Sequence, residues 1–189
     1  MLYGRRINIA LLASNSIAKS SSSFQQFDVL RDPYVLAAPS DLDLRGIEDP
    51  DKELPEDARK IVNSCIQFNF GTQHTHRVGH WYQRVLPHYK LFAQVRTYEV
   101  ALSLVRSGLG VALVPALTAH PKHEDLGGIT LYAVNQPKRR IVALVPSQNT
   151  RVEPYSVFLA ALQEAGRRIT LPPIEPAPPF LAKDPEAAF

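Results

Sequence analysis

The sequence predicts an α/β fold, and three observations point there. Short apolar runs rich in β-favouring residues alternate with stretches of helical period from about Cys65 onward. Each run is closed by proline, glycine or a polar cluster, which punctuates the chain at the spacing of strands and helices. The resulting order is mainly strand, helix, strand, helix, strand, so a largely parallel sheet is expected. The 189 residues, 45% apolar and 21% charged, have a globular composition that excludes a disordered or fibrous chain.

Taken in order, Ile7 to Ala13 (INIALLA) is an apolar run expected as a strand buried on both faces. Ser14 to Ser23 is serine-rich and without period, hence a loop. Phe27 to Arg31 and Tyr34 to Ala38 are strand candidates on either side of Asp32-Pro33, and Pro39 ends the second. Ser40 to Asp57 holds eight acidic residues and two prolines and reads as a solvated loop, with a helical turn after Pro55.

Cys65 to Phe70 alternates as a strand, and a helix is predicted from about Gln73 to Leu86, closed by Pro87. Leu91 to Arg96 is the next strand. Thr97 is placed to cap a helix whose apolar face is Val100, Ala101, Leu104 and Val105, with Gly108 as its left-handed terminator. Val111 to Val114 is a strand stopped by Pro115. Gly128 to Val134 and Arg140 to Val145 are two more strands. A helix after Pro154 runs to about Arg168, with Val157, Phe158, Ala161, Leu162 and Ala165 on one face. The proline-rich stretch from Leu171 is expected to be an extended or disordered tail.

Several function classes are excluded by residue type and spacing. A net charge of +3 is too small to define a nucleic-acid surface. One cysteine, Cys65, rules out an internal disulfide framework and thiolate zinc clusters, and its apolar strand makes it a buried, inert thiol. His76 and His80 share a helix face near His74 and His88, yet no HExxH pattern and no adjacent carboxylate accompany them, so no metal is expected. No G-x-S-x-G elbow, dinucleotide fingerprint or phosphate loop occurs, so neither an enzyme nor a cofactor is expected. Lys138, Arg139 and Arg140 read as a solvated turn. No apolar run reaches the roughly 20 residues of a membrane span. The arginines and short apolar core at the N-terminus imitate a signal peptide only faintly, because Asn8 and Asn15 interrupt it. The cytoplasm is the expected location.

The segment Tyr98 to Pro115, YEVALSLVRSGLGVALVP, resembles the effector-binding domain of LysR-type transcriptional regulators, with that family's acidic residue, apolar helix and GxGxxxxP block. INIALLA is similar to the family's strand ahead of the lobe crossing, with Asn8 where Asp is usual. LRDPYVLAAP (Leu30 to Pro39) resembles the crossing strand, and RRIVALVPSQ (Arg139 to Gln148) the returning one. Agreement runs from about Arg6 to Arg168.

The resemblance implies a type 2, periplasmic-binding-protein-like domain of two lobes with a small effector in the cleft. Residues 1–38 and 136–170 would form a partial first lobe, residues 39–135 a complete second lobe, and residues 171–189 the tail. The family's winged helix-turn-helix and the opening of its first lobe have no counterpart in the sequence, so DNA would be reached only through a domain absent from this chain. The implied partners are a small-molecule effector, expected to be anionic, and further copies of the chain in a homo-oligomer.

Phe70, Gly71, Thr72 and Gln73 lie where a strand's carboxyl end meets a helix start. Free N–H groups and the helix dipole favour an anion there, with ordinary capping by Thr72 as the plainer explanation. The resemblance puts effector contacts at the same place. It sets Ala13 and Ser14 on the other side of the ligand, and Pro115 at the cleft border. The competing expectation is a stand-alone binding protein, or a truncated regulator remnant without DNA contact.

Overall fold

The computed structural model describes residues 7–14, 23–69, 72–119 and 127–182, which separate into two units. The chain passes between them at Asp32–Pro33, Pro137–Lys138 and Thr170–Leu171.

Unit 1 is a three-stranded antiparallel sheet, β1 (Ala10–Ala13), β8 (Arg139–Pro146) and β2 (Phe24–Asp32), in that order, with helix α5 (Tyr155–Arg168) beside β2. Val29, Ala143, Val145 and Leu159 form its small core. The register slips at Val29, between Asp28 and Leu30. Gly166 meets that bulge, where an added Cβ would stand 2.2 Å from the Val29 carbonyl oxygen.

This contact turns α5 away from its expected face. Leu159 is buried and Leu162 half-buried, while Val157 and Phe158 are 58% and 54% exposed. The strand expected to be buried on both faces is instead, among the described residues, an edge strand paired with β8 alone, with Leu11 half exposed.

Unit 2 carries a five-stranded sheet in the order β5 (Lys90–Val95), β4 (Ser64–Phe68), β6 (Val111–Pro115), β3 (Tyr34–Pro39), β7 (Ile129–Ala133). β4 runs parallel to β5 and β6, but β3 is antiparallel to both its neighbours. The expectation of a largely parallel sheet therefore holds for three strands and fails elsewhere. The antiparallel strands are those entered or left near a unit boundary, not those joined by crossover helices.

Period-2 alternation sorts the unit 2 strands onto two cores. Leu36, Cys65, Val111 and Leu113 meet α2 (Glu56–Val62) and α3 (Thr72–Val85) through Val62, Trp81, Tyr82 and Val85. Val35, Ile66, Ala112 and Val114 meet α4 (Tyr98–Arg106) through Ala101, Leu102 and Val105. Val100, expected on that face, is exposed. The Thr97 hydroxyl accepts the Val100 N–H, capping α4 as anticipated. Its other end closes with Gly108 N–H on the Val105 carbonyl and Leu109 N–H on that of Leu104, the paired bonds of a glycine-terminated helix. Gly110, at φ 158°, then brings the chain against the backbone of Ser64, where any Cβ would fall 2.1 Å from the carbonyl oxygen. A short helix, α1 (Pro50–Glu53), stands in the acidic stretch expected as a loop, capped by the Asp49 side chain.

The tail, expected to be extended or disordered, is an ordered and largely extended stretch over residues 171–182. Glu175 bridges to Tyr132 of β7, donating its N–H to Leu131 at 2.8 Å and accepting that of Ala133 at 2.9 Å. Phe180 and Leu181, in the short helix α6 (Pro179–Ala182), are buried in the Trp81 core. Prolines remove donors but leave carbonyls and apolar surface, and a strand edge supplies the rest.

Candidate functional site

In unit 2 the chain leaves β4 through α3 to β5 on one side, and returns through α4 to β6 on the other. The strand order therefore reverses between β4 and β6, and open α/β sheets bind ligands at the carboxyl ends of strands where this happens. The β4–β6 ladder extends only over Cys65–Val111 and Ile66–Ala112, so the two strands are not paired with each other toward those ends. The buried Tyr82 hydroxyl takes the Leu113 N–H at 2.7 Å, and burial pushes its pKa up.

Two polar side chains, Gln67 of β4 and Asn69 just beyond it, hold the first turns of α3 through Thr75. Gln67, 6% exposed, donates from Nε2 to the Thr75 carbonyl at 2.8 Å. Asn69 continues the β4–β5 pairing with its N–H on Val95 at 2.9 Å, and its Oδ1 accepts from the Thr75 hydroxyl at 3.4 Å. The Phe68 ring stacks on Tyr98 at 4.1 Å between centroids, joining the β4 end to the first turn of α4. No acidic residue occupies the first turn of α3, where the helix dipole favours an anion.

The sequence-predicted residues distribute as follows. Thr72 and Gln73 open α3, so their backbone lies at the β4 carboxyl end. Phe70 and Gly71 lie outside the described residues. Pro115 ends β6 opposite Tyr34 and is buried, with its carbonyl accepting from the Thr118 hydroxyl. Parallel β4 and β6 thus bring Thr72, Gln73 and Pro115 to one edge of one sheet. Ala13 and Ser14 belong to unit 1, at the carboxyl end of β1 and half-buried, beside the start of β8.

Sequence reasoning missed Gln67 and Asn69. Their signal was available as two amides at alternate positions of an otherwise apolar strand. It also missed the ion pair Asp32–Arg139, 2.7 Å long, with Asp32 fully buried at the end of β2. Arg140 pairs with Asp28 in the same ladder, so the basic cluster is partly the charged end of a strand rather than only a solvated turn.

His80 and His88 have their partners toward the other end of α3. Arg84 donates to His80 Nδ1 at 2.9 Å, and His88 Nε2 lies 3.7 Å from Asp51. Among the described residues no three potential ligands gather around a metal position. Cys65 is buried and its thiol pKa is pushed up by desolvation, which leaves it unreactive. An open groove of 770 Å³ lies at the far end of α3, lined by Glu48, Asp49, Asp51 and Glu53 against Lys52, Arg84 and His88. No helix among the described residues is long and apolar enough to cross a membrane.

Solved structures share this fold. A mutant of OxyR from Corynebacterium glutamicum matches at a TM-score of 0.59 and 20% identity, over 88% of this chain and 50% of that one. The regulatory domain of Synechocystis CcmR in complex with 2-PG matches at 0.61 and 14%, over 93% and 78%. The regulatory domain of MetR, a LysR family regulator from N. meningitidis, matches at 0.58 and 15%, over 90% and 75%. The chain thus spans about half the length of the OxyR chain. No curated protein sequence matches it. The pattern described as LysR substrate binding domain matches residues 1–167. With that match and a type 2 periplasmic-binding-protein-like fold, the chain belongs to the LysR substrate binding domain family.

Proposed function

We propose that this chain is the effector-sensing part of a LysR-type transcriptional regulator, with a small anionic organic molecule bound against the start of α3. The observation that carries the reading is the strand-order reversal between β4 and β6, which collects the α3 N-terminus and Pro115 at one sheet edge. The Thr72 hydroxyl and the free N–H groups beside it would hold a carboxylate, and Gln67 and Asn69 position that turn. An effector that prefers one conformation of the chain shifts the population toward it.

In a complete regulator, contacts within a homo-oligomer would carry that shift to DNA-bound helix-turn-helix domains in the cytoplasm. That CcmR's regulatory domain is described in complex with 2-PG supports the ligand-binding role. No catalytic acid-base pair enters the proposal, and no cofactor is needed for it.

The test is a thermal-shift screen of aromatic acids, amino acids and sugar acids. A ligand at one hundred times its Kd stabilises the folded state by about 2.7 kcal/mol, which raises Tm by roughly 5 °C or more at this size. Thr72→Ala should abolish most of that rise. A broad screen without a hit, or a rise unchanged by Thr72→Ala, contradicts the assignment.

A further inference from the structure

We propose that the outer edge of β7 is a strand-addition surface for a second copy of this chain, and that residues 171–182 keep it closed by covering it with a segment that cannot itself be extended. The inference goes beyond the sensing role proposed above, since it concerns unit 2 alone and needs no ligand.

β7 ends the order of the five-stranded sheet, with β3 as its one neighbouring strand. The run Ile129 to Val134 (ITLYAV) is uncharged, rich in β-favouring residues and free of proline and glycine. On a sheet edge, such a run is the pattern that pairs with a copy of itself. The groups it turns outward are the Ala133 N–H and the Leu131 carbonyl. Glu175 engages both, accepting the first at 2.9 Å and donating to the second at 2.8 Å.

The covering segment is held from both faces of the sheet. Ile174 packs on the α4 core, while Phe180 and Leu181 are buried in the core beneath α2 and α3. The Phe180 N–H donates to the Ile47 carbonyl at 3.2 Å, and Pro172 and Pro178 are buried as well. The segment therefore saddles the β7 edge.

Its own outer side offers no template. Backbone groups of an extended chain alternate sides, so with Glu175 turned to β7, the residues turned outward are Pro172, Ile174 and Pro176. Two of those three have no N–H to give. A proline-broken segment ends the sheet where β7 alone would continue it. It lies beyond residues 1–167, which match the family pattern, so the shared fold does not account for it.

Phe180→Asp puts a carboxylate where the ring is buried and should release the segment in the full chain. Sedimentation velocity compares this variant with wild type over a concentration series, without any ligand. The mean mass of the variant should at least double at concentrations where that of wild type stays constant. An excess of synthetic peptide of residues 171–182 should return it to the wild-type value. A second variant separates edge pairing from association through a damaged core. Ala133→Pro removes the outward N–H and no hydrogen bond to β3, so Phe180→Asp/Ala133→Pro should sediment as wild type does. A Phe180→Asp mass equal to wild type overturns the proposal. Association that persists in the double variant, or that the peptide leaves unchanged, overturns it too. None of these results bears on effector binding at the start of α3, which the thermal-shift screen judges separately.

Discussion

The two units are built from the same kinds of residue yet bury them very differently. Unit 2 has helices on both faces of its sheet, and every described strand but β5 contributes fully buried side chains to two continuous cores. Unit 1 has, among the described residues, one α-helix beside a three-stranded sheet; its central strand β8 is buried from Val142 to Val145, its edge strand β1 nowhere. Leu11, Val157 and Phe158 remain largely in water there. Burial on two faces, not apolar content, is what separates a self-sufficient layer structure from a marginal one.

The largest expected effect sharpens that contrast. Trp81→Ala removes a side chain 1% exposed at the centre of the unit 2 core and should cost about 3–5 kcal/mol. Phe158→Ala, in unit 1, should change stability by less than about 0.5 kcal/mol. Urea unfolding followed by tryptophan fluorescence for the Phe158 variant, and by circular dichroism for both, measures the pair. Equal losses would mean that unit 1 packs as tightly as unit 2.

A middle-sized effect tests whether charge makes good some of what unit 1 lacks in apolar packing. Asp32→Ala leaves the Arg139 guanidinium, 23% exposed, without its buried carboxylate and should cost about 2 kcal/mol, less than for a wholly enclosed pair. The check is the urea midpoint of the variant against wild type. A neutral outcome would assign the pair no structural weight.

The smallest effect is acid sensitivity. The Arg45 guanidinium holds the Asp43 carboxyl down at about 2, and Arg167 with Arg168 lowers that of Glu164. Both folded-state values lie below those of the unfolded chain, so unfolding takes up protons in acid. Their stabilisation is present in full only above the unfolded values, from about pH 5, and is lost as the pH falls through the lowered folded ones. All these groups are exposed, so the loss should be slight and should shrink further in salt. Melting temperatures at pH 3 and 5, with and without added salt, read it directly.

What the sequence disclosed follows the same division. In unit 2, Thr97, Gly108 and Pro115 act through their own backbone neighbourhoods, so cap, terminator and strand end were legible from composition and spacing. In unit 1, β1 was read as doubly buried and α5 was rotated, because local pattern does not say which neighbours are present to bury an apolar face. Strand direction was missed for the same reason. So were the Asp32–Arg139 pair and the tail seated on β7, whose partners lie far apart in the chain and become neighbours only through topology. Thr72 and Gln73 were named as site residues from a helix start, and Pro115 from the family resemblance. Gln67 and Asn69 show in the sequence as two amides in an apolar strand, and Thr75 supplies their role at that helix start.

The most direct test of the account is an amide chemical-shift titration of the chain with the acid that raises its melting temperature most. The account predicts shifts centred on Asn69, Thr72, Gln73 and Ala116, and their loss in Thr72→Ala. Movement confined to the Glu48–His88 groove at the opposite end of α3, with those amides still, would contradict it.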